Sequence, residues 1–373
     1  MATFTVVNLN DSGAGSLRAA IEAANAEAPG TASTIQFAVT GTITLASGLP
    51  DVTRPIDIVA GNPATGNPPT VGIDFNGNAG LVFAAGSAGS QLVGLSIGHA
   101  SGNGVTLNAG GITLNNNYIG LALDGSAAGN TGDGVHVAAT SSGNQIGYNP
   151  DAATLSENGQ PATGVVSNVI SANGGNGITL NGAHDNTIVS NRIGTSTDGN
   201  SAVANGGNGI WVTAGASGNT IGGAVTGNDA SGQPNNPTGN KGHASEVVVV
   251  APPLGNLVSG NNGDGIRIDT GSAHNTMSGN FVGTTASGTV DLGNHGDGVA
   301  ILQSDFNTLI GCKVVDNPFI YYNVVGGNDG NGIRVTDSDH VTIHANFVGL
   351  GADNATVVGN SLDGILIDGS SRN

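Results

Sequence analysis

The segment Gly207-Asn208-Gly209-Ile210-Trp211-Val212 is one of eight copies of a six-residue block, Gly/Leu-Asn/Asp-Gly-Ile/Val-x-Ile/Val/Leu. The second glycine of the block recurs at Gly104, Gly134, Gly177, Gly209, Gly265, Gly298, Gly332 and Gly364. The successive intervals are 30, 43, 32, 56, 33, 34 and 32 residues, so five of the seven lie between 30 and 34. A period of this length indicates a solenoid in which each repeat packs only on its neighbours.

Each repeat also contains a second short block, as in Asn186-Thr187-Ile188 and Asn275-Thr276-Met277. Apolar residues alternate over only three to five positions between glycine and asparagine, which predicts very short strands. Such strands are too short to form hairpins, but each can pair with the same strand of the next coil, about 4.8 Å away. Glycine and asparagine then fit the turns, and stacked asparagine side chains can hydrogen-bond from coil to coil.

The composition supports this interpretation and excludes several classes of protein. Glycine supplies 65 of 373 residues, against an average share of about 7%. Only 9% of residues are charged, which is low for an ordinary enzyme core. The net charge is −18, and the eight lysines and arginines are scattered, so we expect no nucleic-acid partner. No apolar run approaches the roughly 18 residues of a membrane-spanning helix, so we expect no membrane insertion.

The chain is predicted to be one continuous solenoid with two regions. Residues 1–100 form an N-terminal cap and irregular first coils, and residues 101–373 form regular coils with insertions at about 147–165 and 223–254. The one convincing helix runs from Ser16 to Ala26, with Ser16 as its N-cap and four residues on its apolar stripe: Leu17, Ala20, Ile21 and Ala24. This helix would cover the open end of the stack.

The repeat organisation resembles that of right-handed parallel β-helix proteins. The segment Asn10-Asp11-Ser12-Gly13-Ala14-Gly15-Ser16-Leu17-Arg18-Ala19-Ala20-Ile21 looks like the N-terminal part of large secreted bacterial β-helix proteins. The resemblance implies an all-β, right-handed parallel β-helix with a short N-terminal capping α-helix. Families that share this solenoid include adhesins, autotransporter passengers, polysaccharide lyases, polygalacturonase-type hydrolases and alginate epimerases, so function must be argued from a site.

A candidate binding face follows from the x position of the repeated block, which points outward because its apolar neighbours point inward. The only tryptophan of the chain, Trp211, lies in this outward row beside Arg267. An exposed aromatic ring next to planar hydrogen-bonding groups is typical of a sugar-binding face. The predicted binding residues are His136, Asn181, Trp211, Arg267 and Arg334.

Catalytic and metal-binding candidates are few. The nearest arrangement to the base of a polysaccharide lyase is Arg267 with Asp269. The motifs Gly-His-Gly, Asn-Thr-Asp and Asp-Pro-His-Glu, which mark hydrolases and epimerases of this fold, are absent. Asp264 and Asp297 occupy the same turn in adjacent repeats and could bind Ca²⁺, but asparagine replaces them in other repeats, which favours a role in the turn. We expect no cofactor beyond this calcium hypothesis.

The preferred function is an extracellular bacterial surface module of the adhesin type, with a structural and recognition role in a larger secreted protein. Its partner would be an extracellular polysaccharide or a cell-surface glycan. One alternative is a polysaccharide-active enzyme, either a lyase or a glycoside hydrolase. A second is a self-assembling surface-layer or filament subunit, which would associate through the C-terminal end, because no cap follows Ser371-Arg372-Asn373.

Overall fold

A computed structural model describes residues 2–28, 32–61, 67–147, 168–223, 255–313 and 320–373. These residues form three parallel β-sheets and a nine-residue α-helix, Leu17–Asn25. The chain passes from the third sheet to the first, then to the second, and returns to the third one coil further along. The predicted parallel β-helix with an N-terminal helix is therefore confirmed.

The first sheet contains the strands Ala2–Val6, Ser33–Phe37, Ile56–Val59, Gln91–Val93, Thr113–Asn115, Gln145–Ile146, Thr187–Ile188, Thr220–Gly222, Thr276–Ser278, Thr308–Ile310 and Thr342–His344. The second contains Gly41–Thr44, Val71–Asp74, Leu95–Gly98, Tyr118–Ile119, Val169–Ile170, Arg192–Ile193, Leu257–Val258, Phe281–Val282, Val324–Val325 and Phe347–Val348. The third contains Leu81–Phe83, Val105–Leu107, Val135–Val137, Ile178–Asn181, Ile210–Thr213, Ile266–Ile268, Val299–Leu302, Ile333–Thr336 and Ile365–Asp368. Cys312–Lys313 and Ile320–Tyr321 form a separate antiparallel pair.

One predicted strand is divided in the structure. The apolar run Gln91–Ile97 predicts a single strand, but the chain leaves the first sheet after Val93 and enters the second at Leu95. Gly94 makes the corner with a φ of +75°, and a Cβ there would lie 2.8 Å from the backbone nitrogen of Gly61. The run therefore contains a turn that only glycine can make without displacing the adjacent coil.

The α-helix closes one end of the stack as predicted. Its N-cap is Ser16, whose side chain accepts a hydrogen bond from the backbone nitrogen of Ala19. The four predicted stripe residues are all buried, and they join the main apolar core. None of the described helices has the length and apolar character of a membrane span.

The repeated glycine is required because adjacent coils approach it closely. A left-handed backbone conformation is not the reason. A Cβ at Gly209 would lie 2.6 Å from the carbonyl oxygen of Gly265, and one at Gly265 would lie 2.6 Å from that of Gly298. Each of these carbonyls accepts a hydrogen bond from the first strand residue of the preceding coil, as in Ile210 N to Gly265 O. A side chain at this position would therefore separate two coils along the ladder.

Asparagines form ladders at the corners between the sheets, and all of them are buried except Asn346 and Asn360 in the last rungs. In each ladder, Nδ2 of one side chain donates to Oδ1 of the asparagine in the next coil. The ladder before the third sheet has Nδ2–Oδ1 distances of 2.8–2.9 Å and contains Asn130, Asn173, Asn205, Asn261, Asn294, Asn328 and Asn360. The corner before the first sheet holds Asn144, Asn186, Asn219, Asn275 and Asn307. The corner before the second sheet holds Asn117, Asn168, Asn191, Asn256, Asn280, Asn323 and Asn346.

The outer face of the second sheet is covered by stacked loops. Four of them are closed by antiparallel bridges and span residues 121–127, 195–202, 284–291 and 350–357. Beneath two of these loops, Leu257 and Phe281 form a buried apolar cluster with Ala352. Arg192 also lies under a loop and donates from Nη1 to the carbonyl oxygen of Thr197 at 2.8 Å. This face is therefore closed to a large ligand where the loops cover it.

The structure leaves two of our predictions untested: the two insertions and self-association through the C-terminal end of the stack. Most of both predicted insertions, 147–165 and 223–254, lies outside the described residues. In the last coil, the core residues Ile365 and Ile367 are 47% and 49% exposed, whereas their partners in the preceding coil, Ile333 and Val335, are fully buried. Self-association through this end of the stack stays a prediction.

Candidate functional site

The predicted outward row of the third sheet is present, with every member in register. The described pairs follow the order Thr106, His136, Thr179, Trp211, Arg267, Ala300, Arg334 and Leu366. Trp211 therefore lies one coil from Arg267 and two coils from His136, with a spacing of about 4.8 Å per coil. We call this row, together with Asn181, Asp269 and the turn carboxylates beside it, the third-sheet face.

Arg267 is the centre of the most highly charged part of the third-sheet face. Its Nε donates to Oδ2 of Asp269 at 2.8 Å, and its Nη1 contacts Oδ2 of Asp264 at 3.3 Å. Burial lowers the pKa of Arg267, but the two carboxylates outweigh burial and raise it above its ordinary value. The two carboxylates thus favour the charged form of the guanidinium, and a catalytic role of Arg267 with Asp269 stays a prediction.

The pKa values of the two carboxylates beside Arg267 are shifted in opposite directions. Burial raises the pKa of Asp264, and the nearby Asp297 carboxylate adds to the increase while Arg267 opposes it. Burial also acts to raise the pKa of Asp269, but four neighbouring side chains outweigh it and hold the pKa below its ordinary value: Arg267, Thr213, Trp211 and Thr270. The pKa of Asp264 is therefore raised and that of Asp269 is lowered, although both carboxylates contact the same guanidinium.

Trp211 lies on the outer surface of the third sheet, with solvent on one side of its ring. Its ring is partly exposed, while its register neighbour Thr179 is only 2% exposed. The indole Nε1 is buried without a hydrogen bond of good geometry to any described residue, and it lies close enough to the Asp269 carboxylate to favour its charged form. An aromatic surface with a guanidinium one coil away is available to a flat ligand.

The turn before each third-sheet strand has a common hydrogen-bond pattern. The side-chain oxygen of the Asn or Asp in one coil accepts a hydrogen bond from the backbone nitrogen of the same position in the next coil. Asp264 Oδ1 accepts from Asp297 N at 2.8 Å, and Asp297 Oδ1 accepts from Asn331 N at 2.6 Å. Asparagine serves equally well, since Asn208 Oδ1 accepts from Asp264 N at 2.9 Å. The turn role predicted from the interchange of the two residues is thus present.

The second carboxylate oxygen of these aspartates contacts a basic side chain. Asp133 Oδ2 lies 3.1 Å from Nδ1 of His136, three residues later, and Asp264 has the same spacing to Arg267. Asp297 has alanine at that spacing, and its Oδ2 lies 3.8 Å from Nη1 of Arg334 in the next coil. Our sequence interpretation missed these pairs, although the spacing from Asp133 to His136 and from Asp264 to Arg267 was available to indicate them.

The calcium hypothesis for Asp264 and Asp297 stays a prediction. Each carboxylate already has a backbone nitrogen on Oδ1 and an arginine near Oδ2. In the part of the chain that the structure describes, no group of three or more His, Cys, Asp or Glu side chains could hold a metal ion.

The fold and the face define a parallel β-helix protein with an aromatic and polar row on the outer side of its third sheet. No protein-family model matches the chain, and no curated protein sequence matches it either. Solved structures similar to the chain include pectate lyase Pel9A, with 15% identity, a TM-score of 0.35 and coverage of 97% of this chain and 80% of that chain. Another is the A-module of the Azotobacter vinelandii mannuronan C-5 epimerase AlgE4, with 14% identity, a TM-score of 0.31 and coverage of 100% and 98%.

A third similar structure is the catalytic domain of a GH87 α-1,3-glucanase in complex with nigerose, with 15% identity and a TM-score of 0.27. It covers 98% of this chain and 69% of that chain. These similarities give no support to the adhesin or autotransporter relationship that the sequence resemblance implied. At these TM-scores they carry no argument about activity, which must come from the third-sheet face itself.

Proposed function

We propose that the third-sheet face binds a neutral polysaccharide, and that the protein is an extracellular β-helix module that recognises glycans. The observation that carries this proposal is the partly exposed ring of Trp211 one coil from Arg267, whose guanidinium is held in place by two carboxylates. Sugar rings present C–H groups to aromatic faces and hydroxyl groups to planar hydrogen-bonding groups. Asn181, which is exposed on the same face, adds a further donor and acceptor.

Replacing Trp211 by alanine is expected to weaken glycan binding by about 30-fold, because an aromatic surface that a sugar covers contributes roughly 2 kcal/mol. The measurement is affinity electrophoresis in gels that contain neutral glucans, galactans or mannans. Trp211→Phe serves as the matched control, since it keeps a flat ring and should retain most of the affinity. Equal binding by the wild type and Trp211→Ala, with both proteins folded, would contradict the proposal.

A second candidate function is hydrolysis of the bound glycan, and the opposite pKa shifts of Asp264 and Asp269 favour it. In this step Asp264 donates its proton to the glycosidic oxygen, and the C–O bond breaks. Asp269 removes a proton from the water that attacks the sugar carbon, so that one water is added across the bond. Two carboxyl groups whose environments separate their pKa values are the arrangement that such chemistry requires.

If Asp264 is the acid, Asp264→Asn should lower kcat by about 10³-fold with little change in KM. The two pKa shifts determine how the activity should change with pH. Activity should fall at high pH as Asp264 loses its proton, above the ordinary aspartate range because its pKa is raised. Activity should also fall at low pH as Asp269 gains a proton, below that range because its pKa is lowered. The assay is release of reducing ends from a polysaccharide that the protein binds, and no release by the wild type would rule out hydrolysis.

A further inference from the structure

We infer that Asp264 and Asp269 act as a charge filter, which excludes acidic polysaccharides from the third-sheet face. This inference deepens the proposed function, because it names the chemical class that the face rejects. It rests on how the structure distributes charge around Arg267 and Arg334, the two arginines in the outward row. Uronate-containing polysaccharides carry a carboxylate on each acidic sugar, and they bind to proteins through available guanidinium or ammonium groups.

Two of the three guanidinium nitrogens of Arg267 already face a carboxylate of this chain. Asp269 occupies Nε and Asp264 contacts Nη1, so that one guanidinium faces two carboxylates. Both carboxylate side chains are only 12% exposed, whereas the Arg267 side chain is 35% exposed. A uronate that approached the exposed edge of this arginine would meet a cluster with a net negative charge.

Each of the other basic groups of the face also lies near a carboxylate. Arg334 donates from Nε to the hydroxyl of Thr336 at 3.2 Å, and Asp297 lies 3.8 Å from its Nη1. At the other end, His136 contacts Asp133. Among these described groups, four carboxylates face two guanidiniums and one imidazole, and the whole chain carries a net charge of −18. This field repels polyanions and leaves neutral sugars unaffected.

The turn does not require these negative charges. Asparagine occupies the same position in other repeats and accepts the same hydrogen bond, as Asn208 and Asn176 do. An aspartate at position 264 therefore adds only a charge, beside the arginine that would otherwise attract acidic sugars. The fold does not require a carboxylate at position 269 either, because the equivalent residues one coil away on either side are Thr213 and Leu302.

The test is the double variant Asp264→Asn/Asp269→Asn, in which Oδ1 remains as an acceptor at both positions. The ligands are polygalacturonate and its methyl ester, which share one backbone and differ in charge. We expect no detectable binding of polygalacturonate to the wild type. The variant should gain at least about tenfold in affinity, as expected for new charge-assisted hydrogen bonds, and high salt should abolish the gain. Any change in binding of the methyl ester should be small beside this gain and independent of salt, because the ester carries no charge.

The matched control is Asp185→Asn/Asp353→Asn, which removes two exposed charges away from the third-sheet face. It should not gain affinity for polygalacturonate. Should the double variant melt at a lower temperature, Asp264→Asn alone tests the same point, because asparagine is native to this turn elsewhere. Wild-type binding of polygalacturonate as tight as that of neutral glycans, or an equal gain in the control, would overturn the filter.

The filter and the proposed function fail in different ways. If no neutral glycan binds and Trp211→Ala changes nothing, the proposed function fails, but the filter still predicts the salt-sensitive gain in the double variant. If neutral glycans bind and the double variant gains nothing for polygalacturonate, the filter is wrong while the proposed function stands.

Discussion

Replacing Asn205 by alanine is expected to lower the free energy of unfolding by about 4 kcal/mol or more. Asn205 lies in the middle of the ladder before the third sheet and is fully buried. Its Oδ1 accepts from both N and Nδ2 of Asn173, and its Nδ2 donates to the carbonyl oxygen of Ile170 and to Oδ1 of Asn261. The substitution leaves Asn173 N and Asn261 Oδ1 without a hydrogen bond, at about 1–3 kcal/mol each. Asn173 Nδ2 and the carbonyl oxygen of Ile170 each lose one bond and keep another, at about 1 kcal/mol each.

The matched control for this substitution is Asn360→Ala, in the last described rung of the same ladder. Asn360 accepts from Asn328 in the same way, but it is only partly buried, so water can replace the lost amide. Urea denaturation followed by circular dichroism measures both variants. Because a whole domain is stable by only about 5–15 kcal/mol, Asn205→Ala should be visibly less stable or unfold altogether. A loss of similar size in both variants would show that burial of the ladder is not the cause.

The same ladders explain why so much of the fold could be predicted from the sequence. A spacing of 30–34 residues between copies of one block leaves few architectures, and the predicted register of the outward row agrees with every described strand pair of the third sheet. The predicted stacking of asparagines is also confirmed. The path through Gly94 was not predictable, because Leu92 to Ile97 reads as an uninterrupted strand and the turn depends on how closely Gly61 approaches.

Less of the candidate site could be predicted than of the fold. The row containing Trp211 and Arg267 follows from alternation alone, since every second residue of a strand faces outward. The partners of Arg267 were harder to find, because Asp264 belongs to a turn and its side chain reaches the face only through the corner geometry. The loops over the second sheet were not predicted either. Their apolar contacts with Leu257 and Phe281 depend on three-dimensional stacking and leave no periodic pattern.

A substitution at one repeated glycine should separate close packing between coils from the backbone freedom of glycine. In Gly265→Ala the new Cβ would lie 2.5 Å from Cγ1 of Val282, 2.6 Å from the carbonyl oxygen of Gly298 and 2.8 Å from Nδ2 of Asn294. Two of these three atoms belong to the strand ladder and the asparagine ladder, so neither can move without breaking hydrogen bonds. We expect a loss of about 3 kcal/mol in the free energy of unfolding, at the upper end for overpacking.

Gly364→Ala is the natural comparison, because Gly364 has the same place in the repeated block. Among the described residues, a Cβ there would meet only Cγ1 of Val348, at an ordinary contact distance of 3.7 Å. This variant should therefore stay within about 0.5 kcal/mol of the wild type in urea denaturation. If both variants lost stability equally, the glycine would be required by the local backbone, and the eightfold repeat would reflect turn conformation. A difference of several kcal/mol would instead show that glycine is kept so that the coils, and with them Trp211 and Arg267, can stack at strand spacing.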